Sequence, residues 1–231
     1  MASIGVRALT ITRSGLLSAA RQSNQVPTLT LACRKLSYAH KAPPANPDEA
    51  ITFLRDGNKR FISGNIMAPN RNMERVKDLA SGQKPFAAFL SCADSRVPIE
   101  IIFDQGFGDV FITRIAGNIA TPELVASLEF GTAVLGSKII YVLGHTSCGA
   151  VKATAAGAAV PGVISSLYYH ISPAVALAPN DVEKATEENV KLQAKQLAVS
   201  PVLKGLVEEG KLKIFGGVYN LATGAVKEIP L

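Results

Sequence analysis

The chain of 231 residues has no tryptophan and only three cysteines. Three are too few for a disulfide framework. Cys33 stands apart near the N-terminus, which leaves Cys92 and Cys148 for the rest of the chain. The plain reading of two such residues is buried apolar filler. No run reaches the ~18–20 uninterrupted apolar residues that a membrane-spanning helix needs. There is no Walker A loop, no GxGxxG fingerprint, no internal repeat and no low-complexity tract, so nucleotide-binding and solenoid architectures have no support.

Acid is also missing where base is present. Residues 1–41 contain Arg7, Arg13, Arg21, Arg34, Lys35 and Lys41 but no Asp or Glu. Taking these six from the 24 basic residues leaves 18, equal to the 18 acidic ones, so the body is formally neutral. The net charge of +6 is a property of the leader and does not point to nucleic acid. An Arg-bearing, Ser/Ala-rich, acid-free leader without a continuous apolar core has the composition of a transit peptide rather than a secretory signal. Arg34-Lys35-Leu36 before Ser37 resembles a mitochondrial processing site. The expected division is a cleavable presequence over 1–36, a linker over 37–46 and one catalytic domain over 47–231. The expected address is the mitochondrial matrix, with chloroplast or cytoplasm as alternatives.

Apolar residues make up 48% of the chain and charged residues 18%, enough to bury a sizeable core. Short apolar runs at 86–92, 109–116, 138–144 and 213–219 read as buried strands, and a turn near 220–226 leads to an edge strand. A helix capped by Asn46 or Asp48 runs to about residue 62. A second begins at Thr121-Pro122 and stops at Gly136. A long helical region covers about 181–209 and is broken at Pro201. Continuous apolar strands alternating with helices predict an α/β fold: a central, mainly parallel β-sheet flanked by helices, with an N-terminal helical arm.

Two segments begin where predicted strands end: Cys92-Ala93-Asp94-Ser95-Arg96 and His145-Thr146-Ser147-Cys148-Gly149. Ligand sites of open α/β sheets lie at the carboxyl ends of strands. If the two strands are neighbours, Cys92, His145 and Cys148 converge. Two thiolates and an imidazole suit zinc, and three protein donors leave the fourth tetrahedral position free, as in catalytic zinc sites. Asp94 is the one obvious alternative fourth ligand, and His170 reads as a packing or surface histidine.

Ser91-Cys92-Ala93-Asp94-Ser95-Arg96 with Gly144-His145-Thr146-Ser147-Cys148-Gly149, together with Arg114-Ile115-Ala116-Gly117-Asn118, resembles the β-class carbonic anhydrases over roughly residues 47–225. The resemblance implies reversible hydration of carbon dioxide to bicarbonate by attack of zinc-bound hydroxide. It implies one zinc ion per chain, with Cys92, His145 and Cys148 as ligands. Asp94 and Arg96 match the family's Asp/Arg dyad, in which Arg holds Asp off the metal; in some members the Asp instead ligates zinc and closes the site. Gln83 lies where the family often has a substrate-binding glutamine. Phe111 matches an aromatic pocket position, although a plain core-strand role serves it equally. Phe130 stands where many relatives carry tyrosine, so any hydrogen bond from a hydroxyl there is lost. The Gly149 N–H would help orient bicarbonate, and Gly117-Asn118 would form a turn near the site, with Asn118 structural. The family builds its pocket across a dimer, so a homodimer or homotetramer is implied, with the helical arm gripping a partner. Competing readings are a zinc hydrolase of carbonyl sulfide or carbon disulfide on the same scaffold, a non-catalytic zinc-binding module, and a redox protein using Cys92 and Cys148; the last lacks a Cys-x-x-Cys pair.

Overall fold

The structure is a computed structural model that describes residues 43–231. The expected presequence, most of the expected linker and Cys33 lie outside the described residues. Five strands form one sheet: β1 Ala87–Ser91, β2 Val110–Arg114, β3 Ile139–His145, β4 Lys213–Tyr219 and β5 Val226–Ile229. Their order is β2-β1-β3-β4-β5. The first four are parallel, and β5 closes one edge antiparallel to β4. Around them run α1 Pro47–Ile62, α2 Met73–Asp78, α3 Ile99–Ile102, α4 Pro122–Glu129, α5 Gly149–Ala155, α6 Ser166–Leu177, α7 Val182–Leu197 and α8 Pro201–Glu208.

The two faces of the sheet carry separate cores, as the alternation of side chains along a strand demands. Phe89, Ile139, Tyr141 and Leu143 point to one face and pack with Ala50, Ile51 and Leu54 of α1 and with Phe103. Ala88, Leu90, Ile140 and Val142 point to the other and pack with Leu128 of α4, with Val190, Ala194 and Leu197 of α7, and with Leu203 of α8. Every residue of β1 and β3 is buried, which explains why these strands read as continuous apolar runs.

The local signals act as their chemistry requires. Asn46, rather than Asp48, caps α1: its Oδ1 accepts the Glu49 N–H at 3.0 Å, while its Nδ2 donates to Glu49 Oε1 at 2.9 Å. Ser200 caps α8 by accepting the Leu203 N–H, and Pro201 takes the first helical position. The helix expected from 121 to 135 is α-helical only as far as Glu129 and closes with a π turn, Phe130–Val134. There Thr132 Oγ1 donates to Leu128 O at 2.8 Å, a bond that competes with the helical ladder. α2, α3, α5 and α6 had no clear sequence signal. α6 follows an Ala/Gly-rich stretch and contains Pro173, which blurs its periodicity.

Candidate metal centre

Parallel pairing of β1 with β3 sets Ser91 opposite Leu143. Cys92, the next residue, therefore leaves the sheet beside Gly144, one position before His145 ends β3. Cys148 directly precedes α5 and serves as its N-cap residue. Between them Ser147 adopts a left-handed backbone (φ 57°), which turns the chain back within three residues. That turn is pinned by Glu183 of α7, whose Oε1 accepts the Ser147 N–H at 2.9 Å. Thr146 is tied to the end of β4, its N–H donating to Tyr219 O and its Oγ1 accepting the Leu221 N–H. The result brings the donor atoms of Cys92, His145 and Cys148 within 4.8 Å of one another, all three residues buried.

The donor set fits a metal ion. His145 Nδ1 lies 2.9 Å from Thr146 O, so the proton belongs on Nδ1 and Nε2 presents a lone pair. That Nε2 is buried and has no hydrogen-bond partner. A buried polar atom left unpaired costs about 1–3 kcal/mol, which a bound cation would remove. A hydrogen bond from Cys148 pulls the Cys92 thiol down to about 4, helped by His145 and the Gly117 N–H against the opposing effect of burial. Cys148 is pushed up, first by the Cys92 thiolate and then by burial. Burial would lower His145, but the Cys92 thiolate more than offsets this and raises it. Two cysteine sulfurs and an unpartnered imidazole nitrogen converging in a buried pocket make a ready cation site.

Asp94 stands beside this cluster, with Oδ2 3.7 Å from His145 Nε2. Arg96 grips it with both arms of its fork: Nε donates to Oδ1 at 2.9 Å and Nη2 to Oδ2 at 2.7 Å, while the Arg96 backbone N–H adds a third bond to Oδ1 at 2.9 Å. The guanidinium holds the Asp94 carboxyl well below the usual carboxylate range. Arg114, at the end of β2, braces the same loop by donating to the carbonyls of Cys92 (2.9 Å) and Asp94 (2.6 Å). The sequence signalled Arg114 only as part of a motif. Its bracing role follows from the β1–β2 register, which sets Ser91 opposite Arg114.

The remaining expected site residues are distributed differently. Gly149 opens α5 next to Cys148 and is exposed. Gly117 and Asn118 form the expected turn, with the Asn118 N–H bonded to Ile115 O and the Gly117 N–H donating to Cys92 Sγ at 3.4 Å. Phe111 lies opposite Ala88, four residues before Cys92, which is roughly 13 Å along the strand at ~3.3 Å per residue. Its ring meets Phe130 (centroids 6.4 Å apart). Gln83 precedes Phe86, which pairs with Asp109 at the opposite end of the sheet from Cys92. Within one chain, Gln83, Phe111 and Phe130 are therefore away from the cluster. His170 sits on α6 with its ring edge-on to Tyr169, outside the donor cluster.

Comparison with known proteins matches this arrangement to one family. Residues 87–226 match the family described as carbonic anhydrase. The chain is 36% identical over 195 residues to a carbonic anhydrase of Mycolicibacterium smegmatis, covering 80% of this chain and 94% of that protein. It is 37% identical over 195 residues to carbonic anhydrase 2 of Mycobacterium tuberculosis, covering 79% of this chain and 92% of that one. Among solved structures it resembles a tetrameric β-carbonic anhydrase of Sordaria macrospora, with a TM-score of 0.64 at 27% identity, covering 68% of this chain and 86% of the other.

Proposed function

Since the chain belongs to the β-class carbonic anhydrases and is a carbonate dehydratase, we propose that it works with one zinc ion held by Cys92, His145 and Cys148. The observation that carries this reading is the unpartnered, buried Nε2 of His145, set among two cysteine sulfurs. Bound there, zinc supplies Lewis acidity that lets water lose a proton near neutral pH.

The chain's own groups then do the positioning. The Thr146 carbonyl fixes the His145 tautomer. The Arg96 fork keeps Asp94 ionised and draws both its oxygens toward the guanidinium, away from direct ligation. Asp94 accepts a hydrogen bond from the attacking water and sets the direction of its remaining lone pair toward carbon dioxide. To the Gly149 N–H, at the start of α5 beside Cys148, we assign donation to an oxygen of the bicarbonate product.

An apolar wall suits an uncharged substrate. We assign Gln83, Phe111 and Phe130 to the pocket of a neighbouring copy, in a homodimer or homotetramer. Support comes from their distance from the cluster of their own chain and from the open edge at β2. Phe107, Phe130 and Val134 are large exposed apolar residues on the segments flanking β2. The relative from Sordaria macrospora is described as tetrameric. For the leader we propose delivery to the mitochondrial matrix, supported by its basic, acid-free composition; import of a fluorescent fusion of residues 1–46 into chloroplasts, or its retention in the cytoplasm, would refute that address.

The test is stopped-flow hydration of carbon dioxide from about pH 6.5 to 9, with zinc assayed on the same sample. Near one zinc per chain and hydration that climbs above neutrality are expected, because two thiolates donate more charge to the metal than imidazoles would. Full zinc without hydration at any pH would reject the proposed mechanism and make carbonyl sulfide the next substrate to try.

A further inference from the structure

The turn behind the metal centre holds an unusual backbone. Gly117 (φ 78°) and Asn118 (φ 44°) take left-handed conformations in succession. Such a residue other than glycine costs on the order of 1–3 kcal/mol and persists only where its surroundings hold it. The turn has no room to relax on one side, since a Cβ on Gly117 would lie 2.6 Å from Ile171 Cδ1 of α6.

The groups that hold it come from α7, more than seventy residues away in the chain. Asn189 Nδ2 donates to Gly117 O at 2.8 Å. Gln193 Oε1 accepts the Ala120 N–H at 2.8 Å. The two side chains are locked to each other, Gln193 Nε2 donating to Asn189 Oδ1 at 3.0 Å. Asn189 is fully buried and Gln193 nearly so, yet they occupy the apolar face of α7 between Ala185 and Leu197. Burying two amides in that face is costly unless their bonds are made, and here those bonds clamp both ends of one turn. The clamped turn delivers the Gly117 N–H to Cys92 Sγ at 3.4 Å.

We propose that Asn189 and Gln193 are positioning residues of the metal centre, fixing the Gly117 N–H on the Cys92 sulfur so that this donor is held in place and its charge donation to the metal is moderated. The inference rests on Cys92 being a zinc ligand. An N–H donor withdraws charge from a thiolate. Its loss leaves the sulfur more electron-rich and less well aimed, and groups that orient metal ligands in this way change metal affinity by about 10–100-fold when removed.

The test uses the full chain loaded with zinc, and separately with cobalt(II), whose thiolate charge-transfer absorption reports on the sulfur. In Asn189→Leu the zinc affinity should fall about 10–100-fold and the thiolate-to-cobalt band should move to longer wavelength. Gln193→Met, which keeps Asn189, should move both in the same direction by less, and it carries the test if Asn189→Leu does not fold. The control is Leu54→Ala in α1, fully buried in the core on the opposite face of the sheet from Asn189 and Gln193. It should lower the melting temperature as much while leaving band and affinity unchanged. A folded Asn189→Leu with wild-type band and affinity would overturn the inference, as would equal shifts in Leu54→Ala. A wild-type protein with no thiolate-to-cobalt band would overturn the metal assignment itself, and this inference with it.

Discussion

Two Asp–Arg pairs of the same structure have similar lengths and very different surroundings. Asp94 meets Arg96 at 2.7 Å, and Asp104 meets Arg60 at 2.6 Å. Asp104 is fully buried, and both of its oxygens are occupied: Oδ2 accepts from Arg60 and the Met67 N–H, Oδ1 from the Ala68 N–H. It ties α1 to the loop after α3 and to the segment 67–68. The Asp94 carboxylate accepts its hydrogen bonds only from within its own loop, from the side chain and backbone N–H of Arg96. One edge of its carboxylate still faces the donor cluster, with Oδ2 3.7 Å from His145 Nε2, and its Arg is more than half exposed. Pair length is nearly the same, and each carboxylate accepts three hydrogen bonds; what differs is where the donors come from and what the carboxylate faces. A carboxylate enclosed by donors from distant segments is a structural tie, whereas one whose edge faces the Cys92, His145 and Cys148 cluster is in position to take part in chemistry.

The largest way to break the comparison is to remove the site that Asp94 serves. In Cys92→Ser, zinc and hydration activity are expected to vanish together, with the Asp104 tie intact; zinc content and stopped-flow rate on one sample check this. Next comes Asp104→Asn. It strands the Arg60 charge in a partly buried position, and stability should drop by about 3–5 kcal/mol, read from urea unfolding, while turnover per folded zinc-loaded chain stays near wild type. Asp94→Asn should show the reverse: zinc retained, stability changed by less than about 1 kcal/mol, and hydration reduced by about 10²–10⁴-fold. An active Asp94→Asn enzyme would remove the role assigned to that carboxylate.

The acid side of the stability curve sharpens the same contrast. Burial alone would raise the Asp104 carboxyl, but the Arg60 guanidinium and the Met67 and Ala68 N–H groups more than offset it and bring it below its usual value. A carboxyl depressed in the folded state contributes stability that is fully present above its unfolded value, near pH ~3.9, and is lost as pH falls through the folded one. The stability gap between wild type and Asp104→Asn should therefore be constant from neutrality down to about pH 5 and shrink below about pH 4. Urea midpoints of the two proteins at each pH test this, and taking their difference cancels any acid effect at the candidate metal centre, which both proteins share.

The chemistry of the candidate site was legible in the sequence because it is local. Cys92-x-Asp94-x-Arg96 and His145-x-x-Cys148 each span a few residues at the end of an apolar strand, and only the adjacency of two strands had to be supplied. What escaped was everything that depends on tertiary register. Arg114 braces the Cys92 loop only because β1 and β2 align Ser91 with Arg114. Glu183, Asn189 and Gln193 read as polar positions on a charged helix, although Asn189 and Gln193, four residues apart among buried apolar neighbours, carried a faint signal. Phe111 matched a pocket position by motif, while the same register sets it several residues back from Cys92. α5 and α6 were unmarked because Ala, Gly and an internal Pro flatten the periodicity on which a helix is recognised.

The smallest effect closes the series. Arg55 of α1 and Glu228 of β5 form a third pair, with both nitrogen–oxygen bonds at 2.6 and 2.7 Å, as short as the other two. Both side chains are more than a third exposed, so water and salt screen the attraction, and ordering two long side chains offsets part of it. If burial rather than pair geometry decides the contribution, Glu228→Gln should cost less than about 1 kcal/mol. That cost should fall further in high salt, whereas the cost of Asp104→Asn should hardly respond to salt. Paired urea titrations at low and high salt measure both. A Glu228→Gln loss as large and as salt-insensitive as that of Asp104→Asn would mean that the fork geometry itself is the stabilising element, and the distinction drawn between Asp94 and Asp104 would then have to rest on their place in the site alone.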